Sequence, residues 1–206
     1  MPRGKLESAF LNIPYDRSYE DRFLAYIAGL AAFGVSARAT LELTGGARRL
    51  DRIFKLIASC RYSFHDLSMV RLDPRAPRTP RFNMPFELGL VAGWQQAAPS
   101  DHVWFVFESQ SYRLQKSLSD LNGTDPFVYG NGPAGVLREI RNALARRTNE
   151  PTADQMQGIY RDLKDASAGL REKTGASSLF EARIFAELTV GAQTLAALVI
   201  PRLREF

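Results

Sequence analysis

The chain has 206 residues, 45% of them apolar and 24% charged, with a formal net charge of +5. That length and composition suit one soluble domain with an appendage and argue against a disordered or membrane-embedded chain, and the modest positive charge permits an anionic partner without naming one. A single cysteine, Cys60, excludes an internal disulfide framework and fits a reducing cytoplasm. Met1-Pro2-Arg3-Gly4-Lys5 is not followed by an apolar core segment, so no signal peptide is expected. The most membrane-like run, residues 188–200, is too short to span and contains Thr and Gln, so no membrane is expected.

Residues 8–13 predict a first buried strand, with Pro14-Tyr15-Asp16 as the loop at its C-terminal end. Ser18 is placed to cap the next helix, with Asp21 three residues on, near a capping box. Phe23, Ile27, Leu30 and Ala31 then form an apolar stripe at helical spacing, and Gly34 stops it. Residues 35–41 alternate apolar and polar, the pattern of an edge strand with one exposed face. After Gly45-Gly46, the residues Leu50, Ile53, Phe54, Ile57 and Ala58 fall on one face of an amphipathic helix.

Residues 62–68 read as a short buried strand that delivers His65, Asp66 and Ser68 at its C-terminal end. A Pro/Arg-rich loop follows, then a helix over about residues 85–96 that starts on Pro85, which leaves Glu87 in its first turn. The helix dipole favours an ionised carboxylate there. Residues 103–107 are five consecutive apolar residues, the mark of a strand covered on both faces. A short helix within 113–122 ended by Gly123, a short strand at 127–129 and a basic helix over 136–147 complete the series.

Five strands alternating with helices predict an α/β fold with a doubly wound parallel sheet. One edge-like strand in second place and buried first, third and fourth strands fit the flavodoxin-like order 2-1-3-4-5. The first and third strands are then neighbours, and a cleft is expected between their C-terminal ends. Residues 1–147 form this domain. A polar linker at 148–153 leads to a C-terminal helical extension over 153–206. Met156, Ile159, Tyr160 and Leu163 share one helical face, and Phe180, Phe185, Leu188 and Leu195 another. The sheet already has helices enough to cover it, so a homodimer through this tail is expected, with docking on its own domain as the alternative.

The pair Asp66-Leu67-Ser68 and Asn83-Met84-Pro85-Phe86-Glu87-Leu88-Gly89 resembles the D-L-[ST] … N-x-x-x-E-L-G signature of nucleoside 2-deoxyribosyltransferase-like proteins. These are structural relatives of Toll/interleukin-1-receptor (TIR) domains that cleave NAD. The resemblance covers roughly residues 8–147, and these two motifs carry it. The chain departs from the family pattern in a longer, more basic loop over residues 69–81, and in His65, which stands where a small or apolar residue is usual.

The resemblance implies cleavage of an N-glycosidic bond, by hydrolysis or transfer, in a nucleoside, nucleotide or NAD. Glu87 would act at the anomeric carbon as nucleophile or as stabiliser of an oxocarbenium-like transition state. Its plain alternative is a carboxylate closing a helix cap. Asp66 would orient ribose hydroxyls or bond the leaving base, or else satisfy a loop. Asn12, Tyr15, Asp16, His65, Ser68 and Asn83 are the candidate substrate-binding residues, with Asn83 also a helix cap and Ser68 a turn former rather than a catalytic group. His65 is also a candidate general base, against the plainer reading of a hydrogen-bonded structural histidine. No metal site and no resident cofactor is expected, NAD or a nucleotide being substrate.

Gly130-Asn131-Gly132-Pro133-Ala134-Gly135 matches G-x-G-x-x-G, but it follows the last strand rather than the first and reads as a tight turn before a Pro-started helix. Arg71, Arg75, Arg78 and Arg81 lie between the two motifs as a solvated loop or a phosphate-attracting lid; nucleic-acid binding is not expected. The competing class is a nucleotide-sensing or protein-interaction module that keeps the cleft without turnover.

Overall fold

The structure, a computed structural model, describes residues 6–43, 48–70, 72, 76–98, 100–121, 123–145, 150–201 and 203. Five parallel strands, β1 (Glu7–Asn12), β2 (Val35–Ala39), β3 (Tyr62–Asp66), β4 (Val103–Glu108) and β5 (Phe127–Val128), lie in the order β2-β1-β3-β4-β5. This is the flavodoxin-like order expected from the alternation of strands and helices. In register, Asn12 stands beside His65 and Asp66 beside Phe107, so the ends of β1, β3 and β4 form one polar rim.

Helices α1 (Glu20–Ala32) and α5 (Pro133–Ala143) cover one face, where Leu11, Phe64 and Phe107 point. Helices α2 (Arg49–Ala58) and α3 (Asn83–Ala97) cover the other, where Phe10 and Val106 point. The short α4 (Arg113–Ser117) seats Leu114 in the α3 cluster. Strand β4 is covered on both faces only in its second half: Val103 is exposed and Trp104 and Phe105 are half-buried, because β5 pairs with Phe107 and Glu108 alone.

The tail forms α6 (Ala153–Thr174) and α7 (Ala182–Val199), and both pack on α1. Helix α1 is therefore buried on every side from Phe23 to Ala32, between the sheet and the tail. Ile159, Leu163, Phe185 and Leu188 join the same apolar cluster as Leu11 and Phe64. Two ion pairs tie the acidic start of α1 to α6, Glu20 with Arg171 and Asp21 with Lys164 at 2.8 Å, and Gln193 donates to the Val35 carbonyl at 2.9 Å. The apolar faces that prompted the expectation of a homodimer are thus covered by α1 of the same chain. Helix α7 is, by length and composition, apolar enough to cross a membrane, longer than the run read from sequence, and Ile184, Phe185, Leu188, Ala192 and Ala196 form its buried stripe.

Local chemistry moved several element ends. Asp16, not Ser18, is the capping residue before α1: its carboxylate accepts from the Ser18 N–H at 3.0 Å and the Ser18 hydroxyl at 2.7 Å. Helix α3 starts at Asn83 rather than Pro85. The first three helical N–H groups need no partner, so proline is as welcome in the third position as in the first. Helix α5 starts at Pro133, before the expected residue 136, and closes at Ala143; the end expected at 147 lies outside the described residues. Gly34, in the left-handed region at φ 71, ends α1 as expected.

Candidate functional site

A cavity of about 460 Å3 opens where β1 and β2 end, between the starts of α2 and α3. Asn12, Ile13 and Tyr15 line it from the end of β1, and Thr40 from the turn after β2. Arg49, Leu50 and Ile53 of α2 form one wall; Arg81, Asn83, Met84, Phe86 and Glu87 form the other. The Tyr15 hydroxyl shares a 2.8 Å hydrogen bond with Thr40 Oγ1, and its ring lies 5.5 Å from that of Phe180 in the tail. Burial, and then the charge of Glu87, pushes the Tyr15 hydroxyl well above its ordinary range, so it stays protonated.

Glu87 is the fifth residue of α3, past the first turn, so the helix start does not hold it ionised. Its carboxyl makes no hydrogen bond and no ion pair among the described residues, and it lines the cavity instead of folding back as a cap. Burial raises its pKa to about 7, with the Arg49 charge pulling the other way. The result is a half-buried acid that takes and releases a proton near neutrality. That corrects the expectation of a carboxylate kept ionised by the dipole.

Behind Asn12 a line of buried polar groups runs between the sheet and α3. The Cys60 carbonyl only accepts, so His102 Nδ1 donates to it, at 2.8 Å. His102 Nε2 must then accept from the Ser63 hydroxyl at 2.9 Å. Ser63 Oγ in turn accepts from His65 Nε2 at 2.9 Å, which leaves His65 Nδ1 bare to accept from Asn12 Nδ2 at 2.9 Å. The second Asn12 N–H goes to the Met84 carbonyl at 2.8 Å. Both amide hydrogens point inward, so Oδ1 is the atom Asn12 presents to the cavity. His65 is fully buried, and burial, with His102 adding to it, depresses its pKa to about 3. It is a neutral spacer that holds Asn12, and no base.

Asp66 does not line this cavity. Its carboxylate is fully buried and accepts from three hydroxyls: Tyr19, Tyr26 at 2.9 Å and Tyr129 at 3.4 Å. Oδ1 also takes the Ser68 N–H at 2.9 Å, so Ser68 forms the turn expected of it. Burial, and next the Asp66 charge, raises all three tyrosines above their ordinary range and keeps them as donors. The hub joins β3, α1 and the end of β5. Gly135 makes it possible, because a Cβ there would lie 1.9 Å from the Tyr129 carbonyl oxygen.

Of the residues singled out from sequence, the cavity gathers Asn12, Tyr15, Asn83 and Glu87, and leaves out Asp16, His65, Asp66 and Ser68. Asn83 is exposed and bonds nothing as a cap; Phe82 holds the cap position without a side-chain bond. Of the basic loop, Arg81 lines the cavity and Arg78 is exposed, while Arg71 and Arg75 lie outside the described residues. Thr40, Arg49 and Met84 were missed. So was Arg113, whose guanidinium donates to the Ser68 carbonyl at 2.6 Å and the Val70 carbonyl at 2.5 Å and steadies the turn after β3. A signal for the polar line was present: Ser63 and His65 are two polar residues at strand spacing in a strand read as buried.

Among the described residues, no group of three or more His, Cys, Asp or Glu side chains is placed to hold a metal ion. No protein-family model, no curated protein and no solved structure matches the chain.

Proposed function

We propose that the chain cleaves the N-glycosidic bond of a nucleoside, nucleotide or NAD, with Glu87 acting at the anomeric carbon. One observation carries the reading. Among the described residues of the cavity wall Glu87 is the one acid, unpaired, with its pKa raised to about 7 by burial. As the base leaves, positive charge develops on the sugar. An ionised carboxylate that burial has made costly gains more from that charge than a solvated one does. The interaction is therefore stronger in the transition state than with the neutral sugar, which is what lowers a barrier. Glu87 then either bonds the anomeric carbon or shields the cation until water or an acceptor attacks.

Asn12 Oδ1, held by His65, accepts a hydroxyl of the sugar, and Asn83 stands at the cavity mouth. Asp66, assigned a catalytic part on its motif, acts in this reading as the anchor of the β3 end. The absence of a second acid among the described wall residues favours one other reading, a nucleotide-binding module without turnover. Incubation with NAD and a panel of nucleosides and nucleotides, scored for free base, separates the two. Base release by wild type and none by Glu87→Gln is the expected result. Release that is equal in both ends the reading.

A further inference from the structure

We propose that the cavity binds a phosphoribosyl group, the sugar-phosphate end of a nucleoside 5′-monophosphate, with a ribose hydroxyl on Asn12 Oδ1 and the phosphate between the starts of α2 and α3. The inference rests on the glycosidase reading only in taking the ligand to be a ribosyl compound.

The cavity brings together a group that needs a donor and groups that attract an anion. At the β1 end, Asn12 is 4% exposed and its Oδ1 has no partner among the described residues. The line through His65, Ser63 and His102 fixes that oxygen as an acceptor, since turning the amide over would set an oxygen against the Met84 carbonyl. It needs a donor, which a hydroxyl supplies and an ionised phosphate oxygen does not.

Two helices begin at the same cavity, and Met84, whose carbonyl takes an Asn12 N–H at 2.8 Å, is the second residue of α3. Helix α2 starts after Arg48, which is left-handed at φ 51, and among the described residues no side chain caps it; α3 starts after Phe82, also without a side-chain cap among the described residues. Each start brings the N–H groups of a first helical turn, Pro85 excepted in α3, and the positive end of a helix dipole, the arrangement that receives phosphate. Arg49 stands on the α2 wall. Guanidinium groups are suited to phosphate because their N–H forks match two of its oxygens. A hydroxyl acceptor and an anion seat in one cavity describe a sugar phosphate. The volume of about 460 Å3 lies within the range for small-molecule sites, roughly 300–1,000 Å3, and is enough for the sugar phosphate.

Titration calorimetry on the full chain carrying Glu87→Gln, which binds without consuming ligand, tests the inference with AMP, adenosine, ribose 5-phosphate and the 2′,3′-dideoxy analogue of AMP. AMP and ribose 5-phosphate are expected to bind, with adenosine and the dideoxy analogue each weaker than AMP by about tenfold or more. Added salt weakens AMP and leaves adenosine unchanged. Arg49→Met, at an exposed position where the fold does not depend on it, brings AMP down to the level of adenosine. Adenosine binding as tightly as AMP, AMP affinity untouched by Arg49→Met, or no binding by any of the four overturns the inference. Failure of the two proposals is distinguishable. AMP that binds with these dependences but releases no base from wild type ends the catalytic reading alone. Base released as fast from nucleosides as from nucleotides ends this one alone.

Discussion

Asn12 and His65 stand side by side in the β1–β3 register and share a 2.9 Å hydrogen bond, in which the amide donates and the imidazole accepts. Its direction is set three bonds away, at a backbone carbonyl that can only accept. Removing the middle of the line therefore acts at both ends. Ser63→Ala leaves His65 Nε2 and His102 Nε2 without partners in the core, at a cost of about 2–4 kcal/mol. Denaturant unfolding checks it; a loss within the error of the measurement means the groups find other partners.

The same line makes the protein sensitive to acid. The folded His65 pKa is about 3, below the ordinary 6.5, so between those values the unfolded chain holds a proton the folded chain refuses. Stability attributable to His65 is full above pH 6.5 and falls as pH drops toward 3, by up to about 1.4 kcal/mol per pH unit. Glu87 works in the opposite sense. Its folded pKa, about 7, is above the ordinary 4.5, so its contribution is full below pH 4.5 and is lost as pH rises to 7. Between pH 4.5 and 6.5 the two slopes oppose each other, and Glu87→Gln uncovers the His65 slope. Urea unfolding from pH 4.5 to 8 reads it directly.

At pH 8 Glu87→Gln is expected to be more stable than wild type, on the order of 3 kcal/mol, because the wild-type carboxyl is there ionised in a site that penalises charge. Activity moves the other way. Base release by wild type rises with pH through about 7 as the reactive carboxylate forms. A variant that is less stable at pH 8, or a rate that is flat from pH 6 to 8, contradicts the account of Glu87.

Asp66→Asn separates the anchor from the site. Three tyrosine hydroxyls and one N–H converge on the carboxylate, and an amide nitrogen turns one acceptor into a donor facing donors. The expected loss is about 2–4 kcal/mol of stability. The KM for substrate at a temperature where the variant is folded stays at the wild-type value. A change in KM without a change in stability would return Asp66 to the site.

The tail is expected to behave as core. Phe185 is 2% exposed and its ring lies 5.8 Å from that of Phe23, so Phe185→Ala costs about 3–5 kcal/mol although it is far from Glu87 in sequence. Thermal unfolding in one transition, shifted down, is the expected result; a separate early transition would mean that the tail unfolds by itself.

Strand order was legible because the period-two pattern marked β2 as the edge and the five consecutive apolar residues of 103–107 marked β4 as interior. The Asp66 environment was not, because its partners arrive from 47 and 40 residues before it and 63 after, and a carboxylate at a strand end looks the same whether tyrosines or a ligand will meet it. The motif that singled out Glu87 pointed at a residue on the cavity wall, yet misjudged its protonation, since local spacing reports the dipole and not the depth of burial. The destination of the tail was half legible. Its apolar faces were plain, but their counterpart was the run from Phe23 to Ala32, apolar nearly all round, which is how a helix enclosed on every side reads.

That enclosure has a consequence for how the chain is made. Helix α1 leaves the ribosome well before the side chains that cover its outer face, from Ile159 to Leu188, which lie more than a hundred residues downstream. At translation speeds of about 5–20 residues per second, the wait is roughly 10–30 s. During that interval the outer face of α1 has no cover from its own chain, and the apolar residues on it stay in water until α6 and α7 are made.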